Sequence, residues 1–334
     1  MASIKDVAKE AGVGVGTVSR AINHTGYVSP DTRKKIDKAV EKLNYTPNEL
    51  ARNLFRNKSG IVGVIVPDLD HPFFSSLVKN IEMQLYRQGY KTMVCNAVGV
   101  SDREREYLDM LERNIVDGII TGSHCLDGEE YLRHEKPIVS IDRDFGPKIP
   151  IVGSDHMMGG KMAAELMLKD GRKRVLQICG VSPHIVANER HLAFQKTLMD
   201  NGVEVLTETM DWNVFDWEAF HKTAWKIMEK HSNIDGIFSG DLGAVACMNA
   251  VRERGMHIPE DISLVGFDAT SVTQMVHPRL TAIRQNVELL AEVSVNTLLD
   301  QIEQRRSTLH RQILSVDVYL GGTTKAEHQQ SKQI

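Results

Sequence analysis

The sequence predicts an all-α helix-turn-helix head followed by an α/β sensor built from two doubly wound parallel-sheet subdomains. Three observations carry that expectation. Residues 1–46 place apolar positions at helical spacing behind two N-cap signals. Beyond residue 60, short β-branched runs alternate with longer amphipathic stretches, and those runs number nine, more than one sheet holds comfortably.

In the head, Ser3 with Asp6 three residues on forms a capping-box-like start, and Ile4, Val7, Ala8 and Ala11 share one helical face closed by Gly12. A second helix is expected over about 16–22, with Val18, Ala21 and Ile22 turned inward. The third begins at Ser29-Pro30-Asp31, an N-cap followed by proline at the first helical position, and carries Ile36, Val40 and Leu43 on one face. Two helices across a short turn with a bracing third make a helix-turn-helix module. From 47 to 60, Leu50, Ala51, Leu54 and Phe55 recur at helical spacing in a polar, basic stretch. This predicts a hinge helix that is marginal alone, since an isolated helix needs about 12–15 residues.

The strand candidates are 61–67, 91–98, 116–121, 137–141, 150–153, 174–179, 235–239, 262–266 and 280–283. Helical stretches at 73–88, 102–114, 159–170, 189–201 and 217–230 lie between them, the βαβ rhythm of parallel sheets covered on both faces. Ligands in such folds sit beyond the carboxyl ends of the strands, in a cleft between subdomains.

Composition excludes several classes. The chain of 334 residues has a net charge of -4, but residues 1–60 hold 11 Lys/Arg against 6 Asp/Glu. A basic head on an acidic body is the electrostatic footprint of a DNA-binding module. No apolar run reaches the roughly 18 residues of a membrane span, and the start lacks a signal-peptide profile, so a cytoplasmic address and no membrane partner are expected. Cys95, Cys125, Cys179 and Cys247 lie far apart beside apolar stretches and read as buried thiols, and the histidines show no ligand spacing, so no metal is expected. The glycines between 12 and 16 lie between two helices and not after a strand, which removes a dinucleotide loop. No GxxxxGK[ST], HExxH or GxSxG occurs, so neither an enzyme, nor a catalytic residue, nor a cofactor is expected. The tail from 325 to 334 has no leucine heptads, so no terminal coiled coil is expected.

Asp6-Val7-Ala8, Ala11-Gly12-Val13, Thr17-Val18-Ser19-Arg20, Ile22-Asn23, Val28-Ser29, Thr32-Arg33, Leu43-Asn44-Tyr45 and Pro47-Asn48 follow in an order and spacing that resembles the head of the lactose/galactose repressor family of transcriptional regulators. The resemblance continues through Val116-Asp117-Gly118, Val265-Gly266-Phe267-Asp268 and Leu280 to Gln285. It implies a sensor of the periplasmic-binding-protein type, divided at about 61–158 with 287–318 and 159–286 with 319–326. It also implies a homodimer on a near-palindromic double-stranded operator, with a recognition helix in the major groove. At the DNA it places Ser3, Val15, Gly16, Thr17, Ser19, Arg20, Asn23 and Tyr45, joined from the hinge by Asn48, Ala51, Arg52 and Leu54, the last as an apolar wedge in the minor groove. Arg20 has the geometry to give two hydrogen bonds to a guanine. Gly14, Val15 and Gly16 stand where relatives carry larger polar residues, so operator preference does not transfer.

For the effector, the resemblance nominates Asp70, Phe74, Asp142, Arg143, Arg190, Trp217, Asp241 and Asp268. Carboxylates and an arginine for hydroxyls, with aromatics for the ring face, suit a sugar by chemistry alone. Asp155 and Asp241 are equally expected as helix caps. Within the family, Asn96, 101–110, Ser123-His124 and Glu129-Glu130-Tyr131 are most similar to sucrose-operon repressors of Gram-positive bacteria, which implies sucrose, or fructose or a sugar phosphate derived from it, as effector. The implied device is a repressor whose subdomain orientation sets the hinge spacing, with inducer and corepressor both open as the sign of coupling. Alternatives are control by a phosphocarrier corepressor protein or by a purine, and, in a different class, a sugar-binding transport protein.

Overall fold

The computed structural model describes residues 2–23, 25–46, 58–98, 100–123, 125–180, 188–210, 217–305 and 309–325; the side chains of Trp217 and Ala219 lie outside that description. The chain divides into two compact units, 1–59 and 60–334.

The first unit opens with α1 (Ile4–Ala11), α2 (Val15–Asn23) and α3 (Pro30–Lys42). Ser3 caps α1 in a full capping box: its hydroxyl accepts from the Asp6 N–H, and the Asp6 carboxylate accepts from the Ser3 N–H at 2.8 Å. Gly12 ends the helix at φ 68°, the left-handed region where a side chain is strained. Ser29 caps α3, with Pro30 in its first turn. Val7, Ala8, Ala11, Val18, Ala21, Ile36 and Ala39 form the core, with Ile4, Val13, Ile22, Val28, Val40, Leu43 and Tyr45 packed around it. Most are small, so the module buries little apolar surface.

The second unit begins with β1 (Ile61–Val66), α4 (Pro72–Arg87), β2 (Lys91–Asn96), α5 (Ser101–Glu112), β3 (Gly118–Thr121), α6 (Gly128–Leu132), β4 (Ile138–Ile141) and β5 (Ile151–Ser154). It continues through α7 (His156–Lys169), β6 (Arg174–Cys179), α8 (Glu189–Asp200), β7 (Glu204–Thr209), α9 (Trp217–Lys230), β8 (Gly236–Phe238) and α10 (Asp241–Glu253). Then come β9 (Ser263–Asp268), α11 (Val272–Met275), β10 (Thr281–Arg284), α12 (Val287–Ile302), β11 (Arg311–Leu314) and β12 (Asp317–Tyr319).

These strands form two six-stranded sheets, in the orders β11-β5-β4-β3-β1-β2 and β12-β10-β9-β8-β6-β7. Every pairing is parallel except β10 with β12. Successive side chains feed opposite faces: Val62, Val64 and Val66 of β1 meet Leu77 and Ile81 of α4 and Leu298 of α12, whereas Ile65 meets Leu108, Leu111 and Tyr131 on the other side. In the second sheet, Val265 and Phe267 pack with Ala163, Met167 and Phe194 of α7 and α8, and Leu264 packs with Ala246 and Met248 of α10. A run buried on both faces, such as Ser263–Asp268, is what a central parallel strand requires.

The chain crosses between the sheets after β5, after β10 and after β11. These crossings fall at Asp155, 285–286 and 315–316, because α7 packs from its first residue on the second sheet and β12 pairs there with β10. Strands β7, β11 and β12 were not expected from the sequence. All are at or next to a sheet edge and alternate between exposed and half-buried positions, so they lack an apolar run. Two of the four expected buried thiols are only half-buried, Cys125 and Cys179, because each lies at or just past the end of a strand. Burial still pushes the Cys179 thiol up to about 11 and the Cys247 thiol up to about 12, which keeps both protonated and inert.

Candidate functional site

In the first unit, Val18 and Ala21 take α2 into the core, which leaves Val15, Gly16 and Arg20 exposed and Thr17, Ser19 and Asn23 half-buried on the outer side. Gly16, Arg20 and Asn23 follow at i, i+4 and i+7, a single strip along the helix. The Arg20 guanidinium donates to the Gly16 carbonyl at 3.3 Å and to the Thr17 hydroxyl at 3.5 Å, long bonds to its own helix that another acceptor readily replaces. Asn23 donates to the Ser19 hydroxyl at 3.2 Å, so that hydroxyl faces another polar side chain along the outer strip. Two other nominated readers are engaged differently. The Ser3 hydroxyl is taken up by the α1 cap, and Tyr45 packs against the module's core. Asn48, Ala51, Arg52 and Leu54 lie outside the described residues.

In the second unit Asp142, Arg190 and Asp268 form a connected group, Phe74 lies just after β1, and Asp70, Arg143 and Asp241 stand apart, while the Trp217 side chain lies outside the described residues. Asp142 ends β4 at φ 54° and is buried; its Oδ1 accepts from the Ser154 N–H at 3.1 Å and lies 3.0 Å from His156 Nε2, at the start of α7. That contact joins the two subdomains. Burial pushes the Asp142 carboxyl up, but the His156 imidazole, the Ser154 N–H and Arg190 outweigh it and hold the carboxyl below its ordinary value. His156 stacks on Phe267 at 5.5 Å between ring centroids, and the Arg190 guanidinium lies 4.3 Å from the centroid of the same ring. Arg190 also stands 3.8 Å from Asp268, whose carboxylate accepts from Gln285 Nε2 at 2.7 Å. Close packing of α7 and α8 holds Arg190 in place: a Cβ on Gly160 would collide with the Arg190 backbone carbonyl. Among the described residues the buried Arg190 Nε has no hydrogen-bond partner, which makes it a donor for a ligand.

The opposite wall is the loop after β1. His71 caps α4 by accepting from the Phe73 N–H at 3.3 Å, and Phe74 packs edge-on against it at 5.4 Å. Loss of water around the His71 ring lowers its pKa, and Asp268 and Arg190 act on it in opposite senses, which places it across from them. A recess of about 490 Å³ opens beside Asp268 and Gln285, bounded by Ser76 and Asn80 of α4 and by Ser315 at a crossing. Arg190 and Asp142 do not line it, whereas Arg284 does.

The outliers serve the scaffold. Arg143 donates to the carbonyls of Ser123 and Leu126 and lies over the Phe145 ring, so it ties its own subdomain together and does not point a free guanidinium at a ligand. Asp241 is buried in the first turn of α10, where it accepts from the N–H and hydroxyl of Thr270, at 2.7 and 2.8 Å. Burial, and then the neighbouring Asp268, push its carboxyl well above the ordinary range. Asp70 is exposed, donating its N–H to Asp68 at 3.0 Å. Asp155 caps α7, accepting from the Met158 N–H at 2.8 Å. Trp217 begins α9.

Sequence reasoning did not nominate Phe267, Gln285 or His156. Phe267 and Gln285 stand inside two of the motifs that carry the resemblance, and a bulky ring one residue before a strand-end aspartate is a usable signal; His156 carries none. Among the described residues no group of three or more His, Cys, Asp or Glu could hold a metal, and no helix is long and apolar enough to cross a membrane.

Residues 3–48 match the model of bacterial regulatory proteins of the lacI family, and residues 164–324 match the periplasmic binding protein-like domain. The chain is 36% identical to the sucrose operon repressor of Streptococcus mutans over 91% of its own length and 94% of that protein's. The chain belongs to the lacI family. It is also 33% identical to the ribose operon repressor of Halalkalibacterium halodurans, with 97% of this chain and 98% of that one covered. Among solved structures it resembles the Lac repressor bound to ONPG in the repressed state, with a TM-score of 0.84 at 26% identity over 97% of this chain and 99% of that one. As a lacI family member it is a DNA-binding transcription regulator, and the two-sheet unit is the family's sensor fold.

Proposed function

We propose that this regulator represses a sugar-utilisation operon of the sucrose or ribose type and that a small sugar, held between the subdomains, sets its affinity for a near-palindromic operator. The observation that carries the reading is the Asp142–His156–Phe267–Arg190–Asp268 chain of contacts, which spans both subdomains and presents carboxylates, a guanidinium with a spare donor and an aromatic ring. A ligand that bonds to both walls stabilises one orientation of the subdomains over another, which is all an effector needs to do. The similarity to sucrose and ribose operon repressors supports a sugar over a purine or a protein corepressor.

In this reading the chain acts as a cytoplasmic homodimer and not as an enzyme, with α2 in the major groove of each half-site. Arg20 reads a base, and Val15 and Gly16 leave room for a thymine methyl. The hinge residues Ala51, Arg52 and Leu54 add the minor-groove contact. The test is fluorescence anisotropy with duplex DNA from upstream of the neighbouring genes, repeated across salt. Expected is tight, site-selective binding whose logarithm falls with log salt by about 0.9 per phosphate contacted. Binding that ignored both sequence and salt would refute the operator reading.

A further inference from the structure

The loops at the carboxyl ends of the strands, where a ligand binds in this fold, are lopsided in charge. Asp68, Asp70, Asp142, Asp155 and Asp268 lie there. Among the described residues the Lys and Arg there are Arg143 and Lys148, joined by Arg190 in the first turn of α8 and by Arg284 at the end of β10, which lines the recess beside Asp268 and is paired with Asp317 through two hydrogen bonds. Arg143 is committed to the carbonyls of Ser123 and Leu126, and Lys148 lies exposed in the turn before β5. Arg190 already faces Asp268 and the Phe267 ring. The sequence of 181–187 and 211–216, outside the described residues, contains no Lys or Arg.

An anion without cations could still use helix N-termini, whose free N–H groups bind phosphate. Five of those termini are occupied or repulsive. Asp155 caps α7, His71 caps α4 and Asn286 caps α12, each with a side chain accepting from the first turn. Helix α5 carries Asp102 and α8 carries Glu189 in the first turn, where a phosphate would sit.

We infer that the cleft recognises an uncharged polyhydroxylated ligand and rejects the phosphorylated form of the same sugar. Ligand hydroxyls donate to Asp142 and Asp268 and accept from Arg190, whereas a phosphate dianion would be desolvated against carboxylates with only Arg190 and Arg284, each already facing a carboxylate of its own, Asp268 and Asp317, to answer it. This deepens the sugar-sensor reading and rests on it.

The test is isothermal titration calorimetry of the full chain with matched pairs: D-fructose against fructose 1-phosphate and fructose 6-phosphate, D-ribose against ribose 5-phosphate, and sucrose against sucrose 6-phosphate. In any pair that binds, the free sugar is expected to bind at least about tenfold more tightly than its ester, since 1.4 kcal/mol of repulsion suffices for that factor. An ester that binds as tightly as its free sugar, or tighter, overturns the inference and leaves the sugar sensor standing. No saturable heat from any of these probes overturns the sugar sensor, and the inference with it.

Discussion

The two units handle their functional side chains in opposite ways. In the head, the core is a handful of mostly small residues and the readers stand on the surface: Val15 is 41% exposed, and the Arg20 guanidinium, among the described residues, bonds to its own helix at 3.3 and 3.5 Å. In the sensor, Asp142 is 7% exposed and Asp268 8%, and protein partners from distant segments hold each one. A reader that is free before binding can be exchanged with little effect on folding. A sensor group woven between two subdomains cannot, because the contacts that will meet the ligand are also contacts that hold the cleft. Specificity for DNA is therefore separable from stability in this molecule, and response to the effector is not.

The largest effect is expected where that weave is cut. Arg190→Met removes the guanidinium and leaves Asp268 a buried carboxylate with only Gln285 to answer it, at a cost of about 3 kcal/mol. Urea denaturation should show that loss, and calorimetry should show effector binding lost with it. Effector binding lost at unchanged stability would break the comparison from the sensor side.

Arg20→Ala should cost about 1–3 kcal/mol of operator affinity, roughly ten- to a hundredfold, while thermal unfolding of the chain moves by no more than about 0.5 kcal/mol. Anisotropy and calorimetry on the same preparation check both halves. A head that unfolds with the substitution would break the comparison from the other side.

A smaller effect sharpens it. The Asp241 carboxyl is raised, so the proton it holds in the folded state contributes stability that is complete below its unfolded value near 3.8 and is lost as pH rises through the raised value. Asp241→Asn keeps an acceptor for Thr270 without that penalty, so its melting temperature should exceed wild type at pH 8 and converge with it near pH 4. His71 and His191 have lowered values, so their contribution is present above about 6.5 and is lost as pH falls, and both proteins should weaken together below that point. An Asp241→Asn chain that melted lower than wild type at pH 8 would mean the carboxylate is charged in the fold.

How far the sequence alone reached follows from how local each cause is. The head was legible because its causes sit within a few residues: the Ser3 and Ser29 caps, the Gly12 stop and the i, i+3, i+4 spacing of Val7, Ala8 and Ala11. Central strands were legible as buried β-branched runs, but β7, β11 and β12 were not, because strands at the sheet margins need no such run. At the site, Asp142 and Asp268 were marked by their place at strand ends. His156 was invisible because its role comes from Asp142 on one side and from Phe267, more than a hundred residues away in sequence, on the other. The partners of Arg143, the carbonyls of Ser123 and Leu126, were equally illegible, because they lie on the loop after β3, 17 to 20 residues away in sequence.

The central claim is that the buried sensor network and the exposed readers are linked, although they lie in separate units. The direct measurement is the operator Kd of the full chain at fixed salt, with and without a saturating free sugar already shown by calorimetry to bind. The expected result is a change of about tenfold or more in either direction, matched by an equal change in the sugar's affinity when operator is present, as linkage demands. A sugar that binds with clear heat and leaves the operator Kd unchanged would contradict it.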